Sequence, residues 1–467
     1  MKNTLGVVIV DGVGFRNFIL SNFLNECLDI FDQIIIFSGL PASAYITLKN
    51  SNIRIVELPV FRETGKIWFW RKMKEVAHMQ KHKDYFAGIR YNLEKNRPTT
   101  ISKRAYLTRL IFNITTFLNS ESWINYSYKK QITSMKQLPE VKKYRELLEN
   151  SKCDVLFFTH QRPPYLAPLD AAAKTLNIKT CSFIFSWDNL ASKGRMAASF
   201  DSFLVWSDLM KNELNYFYPA TKNLAVEVVG TPQFEPYVLE RYKLSAEVFN
   251  QRFKINPLNK TICYSCGDVS TSKNDGLYIE AIAEAVRNKE IEHVNFIVRT
   301  SPAEDGSRFA AIRKEYPFII WNFPKWELTR EGHPEPWSQR VPSPDDIVDL
   351  RMILNFSDLG INMCSTMSLD FMLFNKPVIN PVFGNVENGL YNDQKYLSYS
   401  HYDREVKGGA VAVVKNRQEL VKEINFSLQN PKTRLAAQRQ LIKLQIGKPL
   451  ERTSKRISLA LKKIATN

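Results

Sequence analysis

Short apolar runs alternate with amphipathic segments along most of the chain. Continuous apolar runs at residues 5–10, 33–37 and 53–58 predict buried strands, because they are rich in β-branched residues and bounded by turn residues. Helical periodicity lies between these runs, first after the turn at residues 11–17. Strand and helix in regular alternation indicate an α/β domain with a parallel sheet.

The alternation is interrupted once and later starts again. Residues 61–150 predict several amphipathic helices, including 104–117 and 139–150, and resemble an insertion in the first domain. Strands return at 154–159, 180–185, 203–206 and 226–229, and a second α/β run begins at 261–265. We therefore expect a first domain over 1–240 with its insertion at about 61–150, a second domain over 241–440, and a basic C-terminal helix at 441–467.

One stretch of the second domain carries a recognisable chemistry. A buried strand at 359–363 leads through the small residues Cys364, Ser365 and Thr366 into a helix, and a second strand follows at 377–381. Backbone N–H groups at a helix start, together with two hydroxyls, favour phosphate binding. Asp370 lies one helical turn further on, where a carboxylate can accept hydrogen bonds from a ribose diol. The alternative is an ordinary helix cap, since Ser and Thr are favoured there.

Other candidate side chains follow predicted strands. Asp11, His160 and Asp188 each come after a strand of the first domain, and ligands of parallel sheets bind outside the carboxyl ends of strands. In the second domain, Gly267 lies in a small polar loop and Arg299 ends a strand where a cation can meet a phosphate. Asp before Gly or Asn is also ordinary turn chemistry, and His160 can be a structural histidine.

Charge is large and unevenly distributed. The 467 residues carry a formal net charge of +17, and residues 61–140 hold 16 Lys and Arg against 6 Asp and Glu. Aromatic residues accompany them, and this mixture suits an anionic membrane surface or a lipid-linked anionic substrate. A solvated basic face is the alternative. No nucleic-acid-binding signature is visible, so we expect no nucleic-acid partner.

The sequence also indicates where the protein is located and whether it binds a metal. No apolar run reaches the roughly 18–20 residues of a membrane span, and the first apolar run lacks the cleavage site of a signal peptide. Six scattered cysteines fit a reducing compartment. We expect a cytoplasmic protein, peripheral on the inner face of the plasma membrane through residues 61–140. No Asp-x-Asp stands at a strand end, so no metal site is predicted.

Three motifs resemble a known group of enzymes. The sequence from Asn362 to Asp370, followed by Asn-Lys-Pro-Val-Ile at 375–379, is similar to the donor-nucleotide motif of bacterial surface-polysaccharide glycosyltransferases of the GT-B type. Ser-Trp-Asp-Asn-Leu at 186–190 and Val-Val-Gly-Thr-Pro at 228–232 also resemble that group. The wider group includes UDP-N-acetylglucosamine 2-epimerases and CDP-glycerol glycerophosphotransferases. The likeness does not extend to residues 61–150.

The resemblance implies two Rossmann-like domains facing a central cleft, with a nucleotide diphosphate sugar held mainly by the second. It implies that Ser365 and Thr366 bind the diphosphate, with Asp370 at the ribose and Arg299 or the Gly267 loop completing the site. Such enzymes generally work without a metal or other cofactor. Those that invert the anomeric centre often place a general base after the first strand, the position of Asp11.

The predicted activity is transfer of a sugar from a nucleotide-sugar donor to a cell-envelope glycan, such as capsule or lipopolysaccharide, or to its lipid-linked precursor. Asp188 and His160 are further candidates for a catalytic role. Two alternatives stay open. The chain is a UDP-sugar 2-epimerase or a CDP-polyol phosphotransferase of the same fold, or it is a GT-B-like scaffold without catalytic activity.

Overall fold

The chain forms two compact α/β units in a computed structural model, which describes residues 3–136 and 138–466. The first unit contains the chain up to Glu235, the segment Leu328–Val341 and the residues from Gln445 onward. The second unit contains Pro236–Glu327 and Pro342–Leu444. The predicted class, two doubly wound parallel-sheet domains, is confirmed.

Seven parallel strands form the sheet of the first unit, in the order β3-β2-β1-β4-β5-β6-β7. These strands are β1 (Thr4–Ile9), β2 (Gln33–Ser38), β3 (Ile53–Glu57), β4 (Val155–Phe158), β5 (Lys179–Phe183), β6 (Ser202–Val205) and β7 (Ala225–Val228). The inner strands β1, β2, β4, β5 and β6 are mostly apolar and buried, as in other parallel sheets flanked by helices, while the edge strands β3 and β7 are partly exposed. The apolar runs of the sequence therefore correspond to the strands that form the core.

Six parallel strands form the sheet of the second unit, in the order β10-β9-β8-β13-β14-β15, and β11 pairs with β12 in a separate two-stranded sheet. The six strands of the larger sheet are β8 (Lys260–Ser265), β9 (Val294–Arg299), β10 (Ile320–Asn322), β13 (Leu359–Ile361), β14 (Val378–Pro381) and β15 (Ala412–Val414). The two-stranded sheet consists of β11 (Trp326–Leu328) and β12 (Arg340–Pro342). Residues 322–344 thus include the two short strands β11 and β12.

Helices cover both faces of each sheet. Those before Glu235 are α1 (Gly12–Phe18), α2 (Phe23–Leu28), α3 (Gly65–His82), α4 (Ala87–Lys95), α5 (Lys103–Phe117), α6 (Glu121–Met135), α7 (Pro139–Glu149), α8 (Leu166–Thr175), α9 (Asn189–Ser192) and α10 (Asp208–Phe217). Those that follow are α11 (Ala246–Phe253), α12 (Asp275–Arg287), α13 (Ala310–Glu315), α14 (Pro344–Phe356), α15 (Met367–Leu373), α16 (Ser400–Lys407), α17 (Arg417–Gln429), α18 (Leu435–Gln445) and α19 (Thr453–Thr466).

Most of the segment predicted as a turn at residues 11–17 is helical, and two short helices, α1 and α2, follow β1. Phe18 ends α1 and Phe23 begins α2, and their rings meet edge to face at 5.2 Å. Both rings also pack against Phe157 of β4. An unbroken helix would separate these two positions by five residues on different faces, so the break lets both rings enter the core.

The predicted insertion is helical and comprises α3 to α7. Within it, α3 packs against both α5 and α6. Buried polar contacts attach the insertion to the rest of the first unit. The Lys74 ammonium donates to the carbonyls of Met196 at 3.0 Å and Ala197 at 2.8 Å, and burial lowers the pKa of Lys74 to about 7. Arg195 forms an ion pair with Glu121. The insertion is therefore part of the body of this unit.

The last helix, α19, packs with the first unit and contacts α2 and the sheet. Ile457 and Leu461 are fully buried there. The Glu235 carboxylate accepts a hydrogen bond from the Ser454 N–H at 2.8 Å and another from the Ser454 hydroxyl. Burial of an apolar face and a capped first turn explain why this basic helix is ordered against the domain in which the chain begins.

Candidate functional site

The carboxyl ends of β1, β4 and β5 lie side by side, because these parallel strands are neighbours in the first sheet. Val8 pairs with Phe158, and Phe158 pairs in turn with β5. Asp11, His160 and Asp188 follow these three strands, so the topology brings the three predicted residues to one edge of the sheet. Their surroundings differ, and so does the chemistry available to each.

Asp11 is the N-cap residue of α1 and is fully buried. Its Oδ1 accepts a hydrogen bond from the Gly14 N–H at 2.7 Å, while its Oδ2 has no hydrogen-bond partner among the described residues. Burial raises the pKa of Asp11 from 3.8 to about 6, although the Gly14 and Val13 N–H groups oppose this, and the charge of Glu335 adds to the rise. Such a carboxylate can accept a proton near neutral pH.

His160 is buried and stacked on Phe185, with ring centroids 4.0 Å apart. Its Nδ1 accepts a hydrogen bond from the Arg162 N–H at 3.1 Å. Burial lowers the pKa of His160 well below its ordinary value, so the ring is neutral at physiological pH. These contacts describe a packed, structural histidine, and its catalytic role stays a prediction without a supporting contact.

Asp188 is bound within its own turn at the start of α9. One carboxylate oxygen accepts from the Asn189 side chain at 3.0 Å, and the other accepts from the Ser192 hydroxyl at 3.2 Å. Lys193 lies 3.6 Å from the same carboxylate. The neighbouring Trp187 is only 4% exposed, so its ring is not presented to a ligand. Ordinary turn chemistry therefore accounts for the contacts of Asp188.

The predicted phosphate turn after β13 is held from beneath by a buried polar network. The Asn362 side chain accepts from the Ser365 N–H at 2.9 Å and from the Ser368 hydroxyl at 3.2 Å. Asn380 and the Tyr402 hydroxyl complete the network at 2.7 to 3.0 Å. This network fixes a backbone in which Cys364 has a φ of +45°, and it leaves the side chain of Ser365 partly exposed.

Helix α15 is only seven residues long, and its first N–H groups are partly engaged. The Ser365 N–H donates to Asn362, and the Met367 N–H donates to the Ser365 hydroxyl oxygen at 3.3 Å. The helix dipole therefore adds less to this turn than the sequence predicted. Ser365 and Thr366 are partly exposed residues, and their hydroxyls are the polar side-chain groups of this turn.

Asp370 lies on the buried side of α15, with an exposed fraction of 3%. Its Oδ1 accepts a hydrogen bond from the Tyr237 hydroxyl. The predicted ribose contact is therefore replaced in this structure by a contact within the unit, because residue 370 points into the packing between α15 and the segment around residue 237.

Arg299 is not available to a phosphate as predicted, because its charge is already neutralised. Its guanidinium donates two hydrogen bonds to Asp346, at 2.9 and 3.0 Å, and a third to Asn322. Both charged side chains are buried, and the Arg299 charge helps to hold the pKa of Asp346 below its ordinary value against the effect of burial. Asp346, in the first turn of α14, is the partner of Arg299 in this buried ion pair.

The Gly267 loop is closed on itself. A Cβ at Gly267 would lie 2.0 Å from the Ser272 hydroxyl, so only glycine fits. The Gly267 N–H donates to Asp275 at 3.0 Å and its carbonyl accepts from Arg308 at 3.0 Å. The backbone groups that were predicted to meet a phosphate are thus used inside the loop, and the loop can contribute only its exposed side chains.

Comparison with known proteins identifies the architecture. No protein-family model and no curated protein sequence matches the chain. Solved structures match it over nearly its full length. A Listeria monocytogenes protein described as a UDP-N-acetylglucosamine 2-epimerase is 11% identical, with 99% of this chain and 96% of that chain covered and a TM-score of 0.52. The chain has the GT-B fold.

Two further GT-B structures are similar to the chain. A glycosyltransferase from Rickettsia africae is 14% identical, with 100% of this chain and 99% of that chain covered and a TM-score of 0.50. Phytolacca americana UGT2, complexed with UDP-2-fluoro-glucose and pterostilbene, is 10% identical, with both chains covered over 100% and a TM-score of 0.50. At these identities the likeness concerns the fold.

The first unit of this GT-B chain contains a cavity of about 440 Å³ that no sequence pattern predicted. Its walls include Val10 after β1, Gly39 after β2, Arg62 and Arg104 of the insertion, and Glu335. Glu335 comes from the segment Leu328–Val341, which hydrogen bonds tie to this unit: Arg330 donates to Glu57 at 2.6 Å. Burial raises the pKa of Glu335.

Asp275 is a second residue that sequence reasoning missed. It lies fully buried at the start of α12 and accepts from the Tyr264 hydroxyl at 2.7 Å, the Gly267 N–H at 3.0 Å and Arg308 at 2.9 Å. Burial raises its pKa from 3.8 to about 7 despite these partners. The only sequence feature that could have pointed to Asp275 is its position as an acidic residue at the start of a helix. Its contacts make it the residue that orders the Gly267 loop.

Proposed function

We propose that the chain is a nucleotide-sugar-dependent enzyme, and within that class a glycosyltransferase that transfers a sugar to a cell-envelope glycan or a lipid-linked acceptor. Two observations from other proteins support the broader class. The similar structures include one described as a UDP-N-acetylglucosamine 2-epimerase and one complexed with UDP-2-fluoro-glucose. The motif from Asn362 to Asp370 resembles the donor-nucleotide motif of surface-polysaccharide glycosyltransferases.

The observation that carries the transferase proposal is Asp11. A fully buried carboxylate follows the first strand, has one oxygen without a partner among the described residues, and has its pKa raised by burial to about 6. We assign it as the general base: its Oδ2 takes the proton of an acceptor hydroxyl while that oxygen attacks the anomeric carbon and the nucleoside diphosphate leaves. A base with this pKa is mostly ionised at neutral pH and still basic enough to assist.

On the donor side we assign the hydroxyls of Ser365 and Thr366 to the diphosphate. They donate hydrogen bonds to the oxygens on which charge develops as the leaving group departs. The buried network of Asn362, Ser368 and Tyr402 keeps the turn in one conformation, so little reorganisation is required during the reaction.

We also propose that no metal ion takes part. Among residues 3–136 and 138–466 there is no cluster of three His, Cys, Asp or Glu side chains able to hold one. The test is direct: excess EDTA should leave the rate of sugar transfer unchanged, and a rate restored only by a divalent cation would contradict this part of the proposal.

A peripheral position on the inner face of the plasma membrane is the remaining part of the proposal. No helix of the described chain is both long and apolar enough to cross a bilayer. Helix α5 buries one apolar face against α3 and exposes a second, formed by Tyr106, Leu107, Leu110 and Phe117. Lys103 and Arg109 stand on the same helix. Exposed apolar residues among cations are suited to an anionic lipid surface.

The experiment that separates the candidate activities is proton NMR of the purified chain with UDP-, CDP- and GDP-linked donors, with and without a cell-envelope glycan extract. A transferase releases nucleoside diphosphate faster when the acceptor is present. A 2-epimerase, the second candidate because of the Listeria structure, converts the sugar without any acceptor. A CDP-polyol phosphotransferase releases CMP, and a scaffold leaves every donor intact. Donor turnover that is independent of acceptor would overturn the transferase assignment.

A further inference from the structure

The cavity of the first unit depends on the helical insertion. Of its lining residues, Phe61, Arg62, Glu63, Arg71, Arg104 and Tyr144 lie in the insertion or where it begins. Val10 and Gly39 follow β1 and β2, so the same cavity also reaches the carboxyl edge of the sheet that carries Asp11. Its volume of about 440 Å³ lies within the roughly 300–1,000 Å³ typical of ligand pockets.

Two of the four arginines in the wall are neutralised by glutamates. Arg71 contacts Glu63 at 2.6 Å and Glu75 at 2.9 Å. Arg330 contacts Glu57 at 2.6 Å. These pairs fix the wall of the cavity, and the glutamates balance the positive charges of Arg71 and Arg330.

The other two arginines, Arg62 and Arg104, have no carboxylate partner among the described residues. Arg104 is positioned by stacking over the Trp68 ring, with its guanidinium carbon 4.8 Å from the ring centroid. Trp68 is itself buried, so this contact holds the guanidinium at the cavity while its N–H donors stay available. An arginine fork in this state matches the two oxygens of a carboxylate or phosphate.

The cavity is electrostatically linked to Asp11. Glu335 lines it, and the charge of Glu335 is one of the causes that raise the pKa of Asp11. Tyr165 also lines it, and its hydroxyl donates to the carbonyl of Val10, the residue before Asp11, at 3.4 Å. A ligand in the cavity would therefore lie beside Val10, the residue that precedes Asp11, while Asp11 itself is fully buried and does not line the cavity.

We propose that this cavity is the acceptor site, that the acceptor carries an anionic group, either a carboxylate or a phosphate, and that Arg62 and Arg104 bind that group. This inference rests on the proposed transferase function and gives the insertion a role, which is selection of an anionic acceptor.

The test is isothermal titration of the full chain, without nucleotide, with D-glucuronate, glucose 1-phosphate and glucose. Both anionic sugars, or the one whose anion the natural acceptor carries, should bind at least tenfold more tightly than glucose.

R62Q/R104Q should lose that preference for the anionic sugar, and R62K/R104K should retain part of it. R90Q removes one positive charge from the insertion outside the cavity and should behave as wild type. S365A/T366A controls for glucose 1-phosphate bound at the donor turn and should leave the anion preference unchanged.

Each outcome decides the proposal. Binding of glucuronate alone identifies a carboxylate acceptor, and binding of glucose 1-phosphate alone identifies a phosphate acceptor. Equal binding of glucose, no binding of either anion, or an unchanged preference in R62Q/R104Q would refute the inference. Because no nucleotide is present, donor turnover is measured separately. If the chain turns over a donor but does not bind the anionic sugars, only the assignment of the cavity as the acceptor site is refuted. If no donor is turned over, the proposed transferase function itself is refuted.

Discussion

Asp11 has two roles at the residue scale, and a single substitution can separate them. As the N-cap of α1 it accepts the Gly14 N–H, and as the proposed base it takes a proton on Oδ2. Asparagine caps a helix about as well as aspartate but cannot act as a base. We therefore expect D11N to fold normally and to lose about 10²- to 10⁴-fold in kcat, the usual contribution of general base catalysis. D11A should lose both activity and about 1 kcal/mol of stability.

The pH dependence of D11N gives an independent measurement of the Asp11 pKa. Folding raises that pKa from 3.8 to about 6, so the folded state binds the proton more tightly than the unfolded state does. The wild-type free energy of unfolding should therefore fall relative to D11N as pH rises from about 4 to about 6, and the difference should be constant above that. A pKa difference of about 2 corresponds to no more than roughly 3 kcal/mol. Denaturant titrations at several pH values measure it; a difference that does not change with pH would contradict the assigned pKa.

Packing at Gly360 provides the prediction at the element scale. Gly360 lies in β13, and a Cβ there would lie 2.3 Å from Cδ2 of Phe371, which is fully buried in α15. G360A should push α15 away from the sheet, destabilise the chain by about 1–3 kcal/mol and weaken nucleotide binding. G276A is a matched control in the same unit, because its Cβ would meet only Ile312 at an ordinary 3.6 Å. Thermal melting and nucleotide titration of both variants check it.

Helix α5 provides a second prediction at this scale. Phe117 is 87% exposed and Leu110 42% exposed. If this face enters a lipid surface, L110S/F117S should reduce sedimentation with phosphatidylglycerol vesicles by tenfold or more, because each buried side chain contributes about 1.5–3 kcal/mol. L258S removes a leucine of the second unit that is 91% exposed, and it should have no effect. Equal binding of L110S/F117S and wild type would exclude α5 as the contact.

Local patterns predicted the elements well, because strand and helix signals lie within a few residues of each other. The strand at Val155–Phe158 is a continuous apolar run, and Asp11 directly follows the apolar run at residues 5–10. The surroundings of the site residues were not predictable in this way. Arg299 is neutralised by Asp346, 47 residues later, and Asp370 is engaged by Tyr237, 133 residues earlier. Such partners depend on tertiary packing, which a single sequence does not display.

The same limit applies to the aromatic residues of the insertion. Trp68 and Phe112 were grouped with the others as candidates for a membrane surface, and both are buried in the helix packing. Tyr85 and Phe117 of that group are exposed, and the sequence offered no distinction because all four lie in helical or turn segments of similar composition. The apolar face of α5 emerged only when the packing of α3 against one side of it was known.

At the scale of the whole molecule, the account requires that a GT-B chain with net charge +17 binds a nucleoside diphosphate through the turn that contains Ser365 and Thr366. The most direct test is thermal denaturation of wild type and of S365A/T366A with UDP, GDP, CDP, CMP and dTDP. A ligand that binds only the folded state stabilises it by roughly 2.7 kcal/mol at a hundredfold excess over its Kd. The account predicts that one diphosphate raises the melting temperature of wild type and has a much smaller effect on the variant. No shift with any nucleotide, or the same shift in both proteins, would contradict it.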